Sequence, residues 1–188
     1  MTPGQIALVI VLIVAAVAAV AAVLVMRSRR LRAKFGPQYD RAVAETGNRF
    51  KAENQLEKVE KRVKSYDLRP LTPADRARFQ QSWRAIQSQF VDNPAVAFSD
   101  ADRLLGEVMI ARGYPPKDFE DRATEISVNH ADVCENYRAG HDIAIRQAGG
   151  KATTEDLRQG MVHYRALFDQ LVVDEPVPLP ARAATQSV

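Results

Sequence analysis

His130, Cys134, Tyr137 and His141 stand four, three and four residues apart, the intervals that align side chains along one stripe of an α-helix. His163 lies on a later periodic stretch and could face that stripe across a helical hairpin. Imidazole and thiolate at (i, i+4) can chelate zinc or another borderline metal. The same intervals belong to any buried helical face, and cysteine is among the most buried residue types. No compact metal motif accompanies the four candidates. The expectation is a structural face with no metal and no cofactor; a metal, if held, would use His130, Cys134, His141 and His163.

Proton-transfer chemistry has a weaker claim. His141-Asp142 and Asp169 offer acid and base, but neighbours in sequence do not face each other on a helix. The chain lacks a Walker-type phosphate loop, a dinucleotide fingerprint after a strand and a G-x-S-x-G elbow. No catalytic residue is assigned, and the common enzyme classes lose their usual signatures. Arg84, Arg103, Arg138 and Arg165 could line an anion pocket, although salt bridges that join helices are the commoner use of such residues.

The elements that would position these residues are helical throughout. Thr72 followed by Pro73 is an N-cap with proline at the first helical position, and Phe79, Trp83, Ile86 and Phe90 then recur on one face. Asn93-Pro94 repeats the device before a helix that buries Ala97, Ala101, Leu104, Leu105 and Val108 and stops at Gly113. A shorter helix over about 117–127 and another over about 131–147 follow. Thr153 with Asp156 resembles a capping box, opening a last helix with Leu157, Met161, Tyr164, Phe168 and Leu171 inward. No segment alternates like a strand. The fold class is all-α, with about five helices forming a compact bundle over 70–173. The tail, 174–188, reads as solvated.

The first part of the chain is different. Residues 6–26 are 21 consecutive positions without a charge or strong polar group, roughly 31 Å of helix, enough to span a hydrocarbon core. No Lys or Arg precedes this run, as a secretory signal would require, so it reads as an uncleaved anchor within 1–26. Arg27, Arg29, Arg30, Arg32 and Lys34 form a basic collar over 27–36. They direct that flank to the cytoplasm and the N-terminus outside, and could recruit anionic lipid. Ala15, Ala18, Ala19 and Ala22 permit close helix approach, a weak dimerisation signal.

Phe35-Gly36-Pro37 interrupts the collar, and 37–69 reads as one stalk-like helix. Its early stripe is Tyr39, Val43, Thr46 and Phe50. Its late stripe, Ala52, Leu56, Val59, Val63 and Tyr66, is out of phase with the first across Gly47-Asn48. Glu57–Lys61 and Glu60–Lys64 are spaced as (i, i+4) pairs. The stretch 27–69 holds 13 Lys or Arg against 6 Asp or Glu. The formal net charge of +3 therefore reflects the membrane-proximal part, and the distal part is mildly acidic. Nucleic-acid binding would need the excess on the domain itself and is not expected. With Cys134 alone, an intrachain disulfide is impossible.

Three distal stretches, 136–142 (NYRAGHD), 152–158 (ATTEDLR) and 163–169 (HYRALFD), together with 68–73, 101–105 and 112–115, resemble a group of bacterial proteins found notably in actinobacteria. The resemblance covers roughly residues 68–172, preceded in the group by a similar membrane segment. It implies a single-pass protein with a helical C-terminal domain and supplies no catalytic or binding residue. The leading expectation is a membrane-tethered, non-enzymatic module that binds a protein partner. The alternatives are a ligand- or metal-binding domain built on His130, His141 and His163, and a homo-oligomeric envelope component.

Overall fold

A computed structural model describes residues 3–173, and the described residues form eight helices and no strand. The first, α1 (Pro3–Phe35), runs without a break through the apolar stretch and the basic collar. Its apolar part is exposed as far as Val23: Leu12, Val17 and Val23 are 60%, 64% and 64% exposed. A soluble protein does not normally leave so large an apolar surface uncovered. The helix is long and apolar enough to cross a membrane.

The chain reverses at Gly36, whose φ of 52° is a left-handed value that only glycine adopts without strain. Beyond it, the expected continuous stalk is two helices, α2 (Pro37–Thr46) and α3 (Arg49–Lys64). Gly47 closes α2 in the left-handed conformation, and Asn48 caps α3 by accepting from the Lys51 N–H. The phase slip between the two apolar stripes is therefore a chain reversal. The α2–α3 hairpin folds back along the end of α1, and Leu31, Phe35, Tyr39, Ala52, Leu56 and Val63 make a small core of their own. Phe50, expected on the inward stripe, is 58% exposed.

The distal bundle comprises α4 (Pro73–Gln89), α5 (Pro94–Ala111), α6 (Phe119–Ile126), α7 (Ala131–Ala148) and α8 (Thr154–Val173). Its apolar residues gather in a second, larger core that includes the inward stripes expected for α4, α5 and α8. Thr72 caps α4 through its side chain as expected, whereas Asn93 makes no side-chain cap to α5. The capping box is present: the Asp156 N–H donates to Thr153 Oγ1 at 3.1 Å and the Thr153 N–H to Asp156 Oδ2 at 2.8 Å.

The centre of the bundle is an aromatic stack seated on two glycines. The rings of Phe98 on α5 and Tyr164 on α8 stack at 5.0 Å. A Cβ on Gly140 of α7 would overlap the Tyr164 ring, and one on Gly160 of α8 would overlap Phe98. Glycine is required here for the closeness of the packing. The solvated tail expected over 174–188 lies outside the described residues.

Candidate functional site

The histidine stripe is part of the scaffold. Cys134 is buried with its Sγ donating to the Ala123 carbonyl at 3.2 Å. Burial pushes its thiol up to about 11, which keeps it protonated. Tyr137 is fully buried, and burial raises its phenol. His130 is buried at the start of α7. His141 stacks face to face on Phe119 with centroids 3.5 Å apart. His163 pairs through Nδ1 with Asn136 Oδ1 at 2.9 Å. Among the described residues no three His, Cys, Asp or Glu side chains converge as a metal site. The four candidates are engaged separately and are not brought together.

The four arginines also part company. Arg103 pairs with Asp100 and Glu107, and Arg165 with Asp169, all within their own helices. Neither makes an ion pair between helices, but the Arg165 guanidinium also lies 5.6 Å from the ring centre of Trp83 on α4. Arg138 does make one: it is buried, donating from Nε to Gln38 Oε1 at 3.1 Å and from Nη1 to Glu120 Oε2 at 2.8 Å. It thereby ties α7 to α2 and α6. Arg84 is exposed on α4.

The densest polar chemistry lies between the collar and the segment expected as a stalk, and at Glu125 on α6. Glu53, Glu60 and Glu125 are all buried. Glu53 accepts from Ser28 Oγ, from the Tyr39 hydroxyl at 2.8 Å and from Arg49 Nε at 3.1 Å. Burial alone would raise its carboxyl, but these donors together hold it below its ordinary value. Glu60 lies within 2.9 Å of both Lys34 and Lys64 and 3.4 Å from Arg30. Burial again pushes upward, and the bonds from Lys64 and Lys34 outweigh it and hold the carboxyl at about 2. Glu125 on α6 accepts from Lys117, from the Tyr66 hydroxyl at 2.6 Å and from Arg62 at 3.5 Å.

The collar is therefore largely neutralised from within. Arg27 pairs with Glu57 at 2.9 Å, Arg30 with Glu57 and Glu60, Arg32 with Asp40 at 2.6 Å, and Lys34 with Glu60. The expected Glu57–Lys61 pair gives way to these contacts, while Glu60–Lys64 forms. Partners advance together along α1 and α3, from Ser28–Glu53 to Lys34–Glu60. The two helices thus run side by side in the same direction, with α2 returning between them. Arg29 makes no ion pair or hydrogen bond among the described residues and is exposed.

Two clefts stand out. One, of about 450 Å³, lies between α1 and the hairpin beside Arg29, Arg32 and Arg49. The other, of about 270 Å³, is a mainly apolar groove between α4 and α8 lined by Trp83, Gln87, Phe90, Arg158, Met161 and Val162. Trp83 is 1% exposed and forms the floor of the groove, with the Arg165 guanidinium 5.6 Å from its ring centre. Only the apolar spacing of α4 and α8 hinted at this groove in the sequence. Comparison with protein-family models, with curated proteins and with solved structures finds no match to the chain.

Proposed function

We propose that the chain is a single-pass membrane protein whose helical domain, on the cytoplasmic side, holds a helix of a protein partner in the α4–α8 groove. The groove is the observation that carries the reading. Phe90 and Met161 offer apolar contact, Val162 is 54% exposed on its rim, and Arg158 and Arg165 edge it with positive charge. A partner helix presenting an apolar side chain next to a carboxylate answers both features. Large aromatics beside small open pockets are the usual anchors of protein interfaces. The ion pairs between collar and hairpin support the same reading, because they hold the hairpin on the end of the apolar helix, and Gln38–Arg138 and Arg62–Glu125 tie the bundle to the hairpin. The excess of Arg and Lys following the apolar run favours the cytoplasmic face.

A photo-crosslinking amino acid at Val162 in intact cells tests this. A discrete adduct with one protein is expected, lost when Gln87→Arg fills the groove. The same probe at Val96, exposed on α5 and outside the groove, should give none. Equal adducts from both positions, or adducts only between copies of this chain, would overturn the reading in favour of non-specific contact or self-assembly.

A further inference from the structure

The collar is mostly neutralised, yet one side of α1 retains an uncompensated cation at the level where the apolar run ends. Arg29 and Arg32 project from α1 into the cleft of about 450 Å³, and Arg49 faces them from the start of α3. One acid, Asp40, also lines the cleft and is paired with Arg32. Arg49 is paired with the buried Glu53. Counting the lining residues leaves three cations against one carboxylate, with Arg29 unpaired among the described residues.

A second cleft of about 240 Å³ shares Val25, Ser28 and Arg49 with the first and is bounded by Leu24, Phe50 and Glu53, so the joined lining holds three cations and two carboxylates, Asp40 and Glu53 each being paired with one of the arginines. The two form one groove around α1, apolar at one end and basic at the other. Phe50 is exposed there with the Arg27 guanidinium 5.4 Å from its ring centre. The fold-back of α2 is what returns Phe50 and Arg49 to the height of Leu24 and Val25.

Depth agrees with this polarity. Taking Met26 as the end of the apolar run, Arg29 lies about 4.5 Å and Arg32 about 9 Å further along the helix axis. A headgroup layer is roughly 5–8 Å thick on each side of the hydrocarbon. Arg29 falls inside that layer and Arg32 at its outer edge, while Leu24 and Val25 sit at acyl-chain depth. An anionic phospholipid has the matching form, with a phosphate outside and a hydrocarbon tail inside.

We propose that this groove is a binding site for one anionic phospholipid, its phosphodiester held by Arg29 with Arg32 and Arg49, and its proximal acyl chain against Leu24, Val25 and Phe50. The site rests on α1 crossing the membrane, as in the function proposed above, and is independent of the protein partner. It would anchor the hairpin tip to the bilayer surface and so fix the tilt of the distal domain.

The test uses the full chain in mild detergent, titrated with phosphatidylglycerol or phosphatidylcholine and read by native mass spectrometry. Preferential retention of a single phosphatidylglycerol is expected. Arg29→Gln should weaken it about five-fold, since a basic residue near an anionic surface contributes about 1 kcal/mol. Phe50→Ser, at an exposed position, should weaken both lipids. Arg30→Gln, which removes a collar cation outside the groove, should leave the preference intact. Equal loss from Arg29→Gln and Arg30→Gln would overturn the site in favour of diffuse attraction. So would absence of any preference. Displacement of the lipid by millimolar inorganic phosphate would reassign the pocket to a soluble anion. If α1 does not insert, the chain leaves the membrane fraction altogether, an outcome distinct from an inserted chain that ignores phosphatidylglycerol.

Discussion

Cys134 and the buried glutamates illustrate how burial and partners set the behaviour of single residues. Burial raises the Cys134 thiol to about 11 and the side chain is almost wholly covered, so neither thiolate nor access is available at neutral pH. A maleimide should leave Cys134 unlabelled in the folded protein and label it completely in denaturant, as intact mass spectrometry can count. Rapid labelling of the folded chain would contradict this environment. Glu60 behaves in the opposite sense. Its folded carboxyl is held at about 2 against an ordinary 4.5. Its contribution is therefore fully present above about pH 4.5 and is lost as pH falls toward 2. Glu60→Gln should cost about 2 kcal/mol at pH 6, below the figure for a wholly buried pair because its lysine partners are partly solvated. Thermal melts in detergent at pH 6 and pH 3 should show the gap between wild type and variant narrowing at the lower pH.

At the scale of elements, the bundle depends on close approach as much as on apolar content. Gly140 lets α7 settle onto the Tyr164 ring, and Gly160 lets α8 settle under Phe98. Tyr164 is also tethered by its hydroxyl, which donates to Asp102 Oδ1 at 2.9 Å, so the ring cannot simply move aside. Gly140→Ala should therefore destabilise the bundle by about 1–3 kcal/mol, although alanine is the better helix former. A melt in which Gly140→Ala is neutral or stabilising would mean the helices can part freely. The α2–α3 hairpin is a different case: its direction depends on Gly36 and Gly47, and its position on ion pairs to α1. Its own apolar core is small, and buried carboxylates complete the contact. Such pairs add little net stability against a hydrophobic alternative, but they penalise any other docking of the hairpin.

For the whole molecule, an exposed apolar helix, a hairpin packed on its end and a five-helix bundle follow one another along the chain. Polar ties at Gln38–Arg138, Arg62–Glu125 and Tyr66–Glu125 join the hairpin to the bundle through α6 and α7. The orientation proposed from the collar has a direct check. Val91, in the α4–α5 turn, is 83% exposed and is a suitable reporter once changed to cysteine, with Cys134 silent in its buried site. In spheroplasts, Val91→Cys should resist a membrane-impermeant thiol reagent until the membrane is permeabilised. Immediate labelling would place the domain outside and redirect the partner search to the envelope.

The sequence by itself determined the helical class, the α4–α8 segmentation, the Thr72 cap and the Thr153–Asp156 box, because periodicity and capping are decided within a few residues. It also marked Gly36-Pro37 and Gly47-Asn48 as interruptions. Whether an interruption bends a stalk or reverses it is decided by contacts between distant residues, and only the tertiary structure could show that α2 folds back. For the same reason Glu53 and Glu60 read as surface charge until their partners, 25 and 26 residues away in Ser28 and Lys34, were seen beside them. The histidine stripe was legible as a helical face, yet its engagement residue by residue with Phe119 and Asn136 was not. The groove at Trp83 and the divided cleft at Arg29 likewise exist only where separate helices meet, since no local pattern encodes the space between them.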